Sequence, residues 1–83
     1  MTEDRLRVVL ADNLRYLRKS RKHKLTQKAL GQVLHLPRKT IMHYEAGKIS
    51  PTAYHVWLLA NFYGCTMEEL LTKQFEKEKV NNN

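Results

Sequence analysis

Apolar residues recur at helical spacing along most of the chain, and the breaks between these runs predict five helices. For the first helix Thr2 is a natural N-cap, and the acidic Glu3 and Asp4 favour the positive end of the helix dipole. Four leucines lie on its inward face: Leu6, Leu10, Leu14 and Leu17. This helix is predicted to end at the basic segment 20–24, where no apolar stripe continues and residues 21–24 form a loop.

The segment 25–48 is the most informative, because its pattern predicts two short helices joined by a tight turn. Thr26 caps the second helix, which covers residues 27–34. Its inward stripe consists of Leu30, Val33 and Leu34. His35 occupies the turn, where a positive φ is expected and glycine is usual. Gly31 costs about 1 kcal/mol against alanine in a helix, and we expect it to let another helix approach closely.

The third helix is predicted from about Pro37 to Ala46, and Gly47 ends it. Ile41 and Tyr44 point inward on this helix. The outward positions carry Arg38, Lys39, Met42 and His43. A short helix with such a face is suited to entering a groove.

Two further helices complete the pattern. Thr52 caps the fourth, which covers residues 53–63 and ends at Gly64. Its predicted buried stripe is Val56, Trp57, Leu59, Ala60 and Tyr63. Thr66 and Glu69 have the spacing of a capping box, which starts the fifth helix. That helix is predicted to carry Leu70, Leu71 and, at its extension, Phe75.

The 83 residues leave room for one hydrophobic core. We expect an all-α domain over residues 1–74 and a frayed polar tail over 75–83. A single cysteine cannot form an internal disulfide, and the acidic start is unlike a secretory signal. The longest apolar run, 56–60, is far shorter than the roughly 20 residues that span a bilayer. A cytoplasmic protein without a membrane segment is predicted.

Charge is concentrated in one part of the chain. From Arg15 to Lys48, ten lysines and arginines stand against a single acid, Glu45, which gives a net charge of +9. The remainder has five lysines and arginines against seven acids, a net charge of −2. The basic stretch coincides with the two helices joined by the turn. Such a field attracts nucleic acid, or an anionic membrane surface, through the same Coulomb interaction.

The sequence gives little support for a metal site, a reactive cysteine or an enzyme active site. The four histidines, His23, His35, His43 and His55, show neither cysteine-rich spacing nor a pair one helical turn apart, so neither metal nor cofactor is expected. Cys65 lies just after the end of the fourth helix, and a free cysteine is more often an inert buried thiol than a redox sensor. We recognise no nucleophile with a base, no paired carboxylates and no glycine-rich phosphate loop, so neither an enzyme nor a small-molecule site is expected.

From Asn13 to Leu71 the chain resembles the helix-turn-helix domains of the Cro and phage-repressor class, also called the xenobiotic-response-element family. Five motifs occur in order, and their combination is highly specific. They are Leu-Arg-Tyr-Leu-Arg at 14–18, Leu-Thr-Gln at 25–27, Ile-Met-His-Tyr-Glu-Ala-Gly-Lys at 41–48, Ser-Pro at 50–51 and Leu-Leu-Ala-Asn-Phe-Tyr-Gly-Cys-Thr-Met-Glu-Glu-Leu-Leu at 58–71.

The resemblance implies a compact, lambda-repressor-like bundle of five helices with the helix-turn-helix at about 26–46. The second helix would cross the DNA backbone and the third would lie in the major groove. Base reading is thereby assigned to Arg38, Lys39, Met42 and His43. Arg38 or Lys39 would donate to O6 and N7 of guanine, whereas Met42 offers only apolar contact, for instance to a thymine methyl.

The resemblance also implies phosphate contacts and one structural ion pair. The phosphate-binding positions are Gln27, Lys28, Thr40 and Lys48. At the start of the second helix, the backbone N–H of Gln27 adds the attraction of a helix terminus for an anion. The family pairs an arginine late in the first helix with a glutamate near the end of the third, and here these are Arg18 and Glu45.

The chain departs from the family pattern around the turn. The loop 20–24 is one residue longer than usual, His35 stands where glycine is usual, and Gly31 stands where alanine is usual. Pro37 replaces the usual Ser or Thr cap, at a cost of about 1 kcal/mol. None of these departures removes an expected DNA contact.

Taken together, these features predict a sequence-specific transcriptional regulator, a repressor, that binds double-stranded DNA. The alternative is a protein-interaction module on the same fold, such as an antitoxin or an adaptor. The basic outward face of the third helix favours DNA, because interaction surfaces lose charge at their centre. RNA is less favoured, because its sequence-specific recognition usually needs exposed aromatic residues for stacking, which the basic stretch is not expected to supply.

One short recognition helix contacts only a few base pairs. We therefore expect a homodimer on a pseudo-palindromic site, with two recognition helices one helical turn of DNA apart. The surface expected to join the two chains comprises Phe62, the turn 64–66, Met67 and Phe75.

Overall fold

The computed structural model describes residues 1–20 and 22–77, and within them the chain forms five helices, followed by further helical residues at 75–77. In chain order they are α1 (Glu3–Lys19), α2 (Gln27–Leu34), α3 (Arg38–Glu45), α4 (Ala53–Tyr63) and α5 (Met67–Thr72). The predicted all-α architecture is confirmed. In this part of the chain no helix is long and apolar enough to cross a membrane.

The end of α5 differs from the prediction. The backbone of Lys73 is extended, with φ −77° and ψ 141°, so α5 ends at Thr72. Residues 75–77 are helical again, and Phe75 therefore belongs to a separate turn and not to an extension of α5. The loop prediction for Arg21 and the tail prediction for residues 78–83 lie outside the described residues.

Side-chain caps start four of the five helices, as predicted. In each case a threonine hydroxyl accepts a hydrogen bond from the backbone N–H three residues later, at 3.0 to 3.2 Å. The capping threonines are Thr2, Thr26, Thr52 and Thr66. The carboxylate of Glu69 also accepts from the Thr66 N–H at 2.9 Å, and this hydrogen bond lowers the pKa of Glu69. Pro37 provides no side-chain cap for α3.

All five helices contribute side chains to one hydrophobic core. Its buried members are Leu10, Leu14, Leu30, Leu34, Ile41, Tyr44, Val56, Leu59, Ala60, Tyr63 and Leu70. Leu17 packs against this core while remaining partly exposed. The core fixes which face of each helix is turned to solvent.

Two residues predicted to be buried are exposed. Val33 is 54% exposed and Trp57 is 51% exposed. At about 100° per residue, each lies roughly 110° from the centre of the buried arc of its helix. In α2 that arc is centred between Leu30 and Gly31 because Gly31 packs against the following turn. Both predictions were wrong because spacing alone does not locate the edge of an apolar stripe.

The turn between α2 and α3 has the expected backbone. His35 adopts the left-handed conformation, with φ 58° and ψ 41°. A Cβ atom on Gly31 would lie 2.5 Å from the carbonyl oxygen of Leu36, far inside van der Waals contact. The N–H of Leu36 in turn donates to the carbonyl of Gly31 at 2.9 Å. Gly31 is therefore required mainly by the turn itself, and not by the approach of another helix.

A buried asparagine ties α1 to the end of α5. Asn13 is 3% exposed, and its side-chain amide donates to the carbonyls of Leu70 at 2.8 Å and Lys73 at 2.6 Å. Its Oδ1 accepts from the N–H of Phe75 at 3.3 Å. These bonds satisfy carbonyls at the end of α5 that lack helical partners. Sequence analysis missed this contact, which spans most of the chain.

Candidate nucleic-acid interface

The outer face of α3 presents the four residues predicted to read bases. Ile41 and Tyr44 anchor the inner face in the core, at 2% and 5% exposure. On the other side Arg38, Lys39 and Met42 are exposed and His43 is half-buried. The structure thus brings two cations, a thioether and an imidazole together on one short helix.

Further cations flank this face. Lys28 and Arg38 border both of the shallow grooves between α2 and the start of α3. Lys48 is exposed just beyond α3, and Thr40 is half-buried on it. Within residues 1–20 and 22–77, no carboxylate pairs with Lys28, Arg38, Lys39 or Lys48. Their charge is therefore directed outward, where it attracts an anionic partner.

A buried ion pair joins the end of α3 to α1. The Nε of Arg18 donates to Oε2 of Glu45 at 2.7 Å, and its Nη2 donates to Oε1 at 2.9 Å. This bidentate geometry is the strong form of an arginine–carboxylate contact. The Arg18 side chain is 10% exposed and that of Glu45 is 3% exposed. The ion pair implied by the family resemblance is present, and its hydrogen bonding raises the pKa of Arg18 against the effect of burial.

Glu45 has two further partners. The side-chain amide of Gln27 donates to Oε1 of Glu45 at 3.1 Å, and Arg15 donates to the backbone carbonyl of Glu45. Arg18 also donates through Nη1 to the carbonyl of Leu25, at 2.7 Å. The end of α3 is consequently tied to α1 and to the start of α2. The role of Gln27 in this network was not apparent from the sequence.

A second polar contact joins α3 to α4. The hydroxyl of Tyr44 lies 2.6 Å from Nδ1 of His55 and forms a hydrogen bond with it. Burial raises the pKa of Tyr44, so the phenol remains protonated. This bond fixes the start of α4 relative to α3. The sequence placed Tyr44 on the inner face of α3 but did not pair it with His55, because their contact depends on how the two helices pack.

The other residues singled out in the sequence make packing contacts within the fold. His23 packs against Phe62 and Tyr63, with ring centroids 5.6 and 5.0 Å away, and burial lowers the pKa of His23. Phe62, Cys65 and Met67, which were expected to join two chains, are half-buried against the core. Burial raises the pKa of the Cys65 thiol, which makes it less reactive.

A short cationic helix set against a second helix by a tight turn, on a compact all-helical core, defines a helix-turn-helix DNA-binding fold. The family model described as Helix-turn-helix matches residues 14–70, more than half of the chain. The chain belongs to this family, the Cro/C1-type helix-turn-helix proteins, which are DNA-binding regulators and not enzymes. The resemblance found in the sequence is thus confirmed. No curated protein and no solved structure matches the chain.

Proposed function

We propose that this protein is a sequence-specific repressor that reads double-stranded DNA with the outer face of α3. The observation that carries the proposal is that Arg38, Lys39 and Met42 are exposed on α3, with His43 beside them. The bonds between Arg18 and Glu45 fix the end of this helix. Arginine and lysine donate to the O6 and N7 acceptors of guanine, and a thioether contacts the thymine methyl. Residues of α3 therefore specify the sequence.

The phosphate contacts come from Gln27, Lys28, Thr40 and Lys48. Because the side chain of Gln27 is engaged by Glu45, its backbone N–H is the group that meets the phosphate. The N–H groups of residues 27 and 28 find no acceptor within the described part of the chain, as expected for the first turn of a helix. Such N–H groups, with Lys28 beside them, are a ready anion site.

Two chains bind one site in this proposal. Each α3 has 8 residues, about 12 Å of helix, and contacts only a few base pairs. Two recognition helices one turn of DNA apart, on a pseudo-palindrome with half-sites about 10 base pairs apart, supply the missing discrimination. Repression is the proposed outcome, because blocking a promoter requires no activity of the chain beyond DNA binding.

The test starts from duplexes recovered by selection from a random-sequence pool. Arg38→Ala should cost about 1–3 kcal/mol at one base-pair position and relax discrimination there. Lys48→Ala should weaken binding to all sequences evenly, because phosphate contacts carry no sequence information. Lys77→Ala, an equal loss of charge at an exposed residue outside the α2–α3 surface, is the matched control and should bind like the wild type.

Affinity measured from low to physiological salt should fall steeply, with a log–log slope of roughly 0.9 per phosphate contact. Lys48→Ala should reduce this slope by about one contact. A flat salt dependence would contradict the electrostatic interface. If Arg38→Ala weakened every sequence equally, then Arg38 would lie against the backbone and its assignment to base reading would be wrong.

A further inference from the structure

The outward side of α4 is aromatic and uncharged. Tyr54 is 63% exposed and Trp57 is 51% exposed, and their rings are stacked with centroids 6.2 Å apart. Leu58 lies half-buried on the same side of the helix. We call these three residues the aromatic face. No Asp, Glu, Lys or Arg occurs anywhere in Ala53–Tyr63.

This combination is unusual for a helix at the surface. A helix that is apolar on both sides is normally buried on both sides. The inner side of α4 packs into the core through Val56 and Leu59, whereas on its outer side Leu58 packs against the core but Tyr54 and Trp57 are more than half exposed. Exposed tryptophan and tyrosine are typical of the centres of protein interfaces.

The charge of the chain indicates what kind of partner binds to the aromatic face. At a net charge of +7, two copies repel each other over most of their surface, and most strongly over the basic stretch. An uncharged face is where such copies can approach. An acidic partner or DNA would gain more from the α2–α3 surface, where Coulomb attraction is available.

We infer that the aromatic face is where a second copy of this chain docks when two chains occupy one DNA site. The inference rests on the proposed function, since it assigns the surface that pairs the chains. It differs from the surface expected from the sequence, in which Phe62, Cys65 and Met67 are half-buried against the core and Gly64 and Thr66 are exposed.

The position of α4 supports this assignment. Only residues 46–52 separate α3 from α4, and the bond between Tyr44 and His55 fixes the two helices to each other. A contact through α4 therefore sets the distance between the two recognition helices directly. A buried aromatic side chain contributes about 150–250 Å², so the two rings of each chain together supply less than the roughly 1,200 Å² of a stable interface. Pairing is therefore weak in solution and is completed on DNA.

Trp57 is the only tryptophan of the chain, so its fluorescence reports on the aromatic face directly. The probe is a duplex selected from a random pool and prepared with one half-site or with two. Sedimentation should show two chains on the two-half-site duplex. In that complex the emission of Trp57 should lie at shorter wavelength than in the one-half-site complex, because its indole ring leaves water.

Trp57→Glu and Tyr54→Glu each place a charge in the contact, at positions that are accessible in the single chain. Each should weaken binding of the second chain about tenfold or more, while leaving one-half-site affinity and the melting temperature near the wild-type values. Val8→Glu changes an apolar residue of similar exposure, 49%, on α1. This matched control should pair like the wild type.

Pairing of both glutamate variants at wild-type affinity would overturn the inference, as would wild-type pairing without an emission shift. An equal loss of one-half-site affinity would mean that DNA covers the aromatic face, which also overturns it. If the wild type bound no duplex, the proposed function would fail. Self-association of the free chain at high concentration would then test the inference independently of DNA. It would be monitored through the same emission shift and compared between the wild type and the same variants.

Discussion

Two buried polar side chains of α1, Arg18 and Asn13, stabilise two different parts of the molecule, the end of α3 and the end of α5. Arg18 is charged and binds the carboxylate of Glu45 at the end of α3. Asn13 is neutral and binds backbone groups of Leu70 and Lys73 at the end of α5, where the region 14–70 that matches the family model ends. The same helix therefore stabilises the end of α3 through charge and the end of α5 through amide hydrogen bonds.

This difference between a charged and a neutral contact predicts what happens to the protein when each contact is removed. A charge left alone in the interior retains its full cost of desolvation, whereas the loss of an amide leaves only unpaired carbonyls. The charged contact should thus show strong coupling between its partners. The neutral contact should fail locally, at the segment that it holds.

The largest effect is expected at the charged contact. Arg18→Ala should lower the free energy of unfolding by about 3–5 kcal/mol, because the buried carboxylate of Glu45 loses its counter-charge and keeps only the amide of Gln27 among the described residues. The double variant with Glu45→Ala should cost less than the sum of the single variants. Denaturant unfolding of the four proteins in this cycle measures the coupling. Additive single effects would show that the two side chains act independently.

An exposed ion pair gives the reference for that cycle. Arg7 pairs with Asp4, whose side chain is 83% exposed. Asp4→Asn should change the free energy of unfolding by less than about 1 kcal/mol, because water screens the pair. A similar loss at both pairs would remove the distinction between buried and exposed charge.

A smaller effect is expected at the neutral contact. Asn13→Ala should cost about 1–3 kcal/mol, since the carbonyls of Leu70 and Lys73 lose their donor. Hydrogen exchange should speed up first at the end of α5 and at residues 73–75, while α3 remains protected. Asn61→Ala, at an exposed asparagine of α4, is the matched control. Equal loss of protection in α3 would contradict a local role.

The smallest effect at neutral pH is expected at Tyr63, beside the charged contact. Its hydroxyl is buried without a hydrogen-bond partner among the described residues, and burial raises the pKa of this phenol. Tyr63→Phe should therefore change stability by at most about 1 kcal/mol near pH 7. Tyr44→Phe, which loses the bond to His55, should be the more costly of the two.

The raised pKa of Tyr63 also sets a pH dependence. Below about pH 10 the phenol is protonated in both the folded and the unfolded chain. As the pH rises above that value, the unfolded chain releases this proton first, so the free energy of unfolding falls. Thermal melting from pH 8 to pH 11 should show this fall, and Tyr63→Phe should reduce it. An identical fall in both proteins would exclude Tyr63 as its source.

Local chemistry made most of the fold predictable. The four threonine caps, the glycine stop at Gly64 and the left-handed His35 each depend on residues within one turn of each other. The Arg18–Glu45 pair was accessible only through the family resemblance, because the contact joins different helices. The outer face of α3 followed from its clear contrast between apolar and charged positions.

The failures have a common physical cause. In α4 nearly every position is apolar, so spacing could not distinguish the buried Val56 from the exposed Trp57. The bonds of Asn13 and of Gln27 join segments distant along the chain and depend on packing. Site assignments such as Arg38 for base reading remain predictions, since they depend on the geometry of a DNA complex.

The crowding at Gly31 constrains how this chain can change over time. A glycine codon becomes an alanine codon by one base change, and alanine is usual at this position in the chains that it resembles. Here the added methyl group would meet the carbonyl oxygen of Leu36 at 2.5 Å. The substitution is therefore open only to a chain whose turn has already moved. Alanine at position 31 therefore requires the backbone carbonyl of residue 36 to shift.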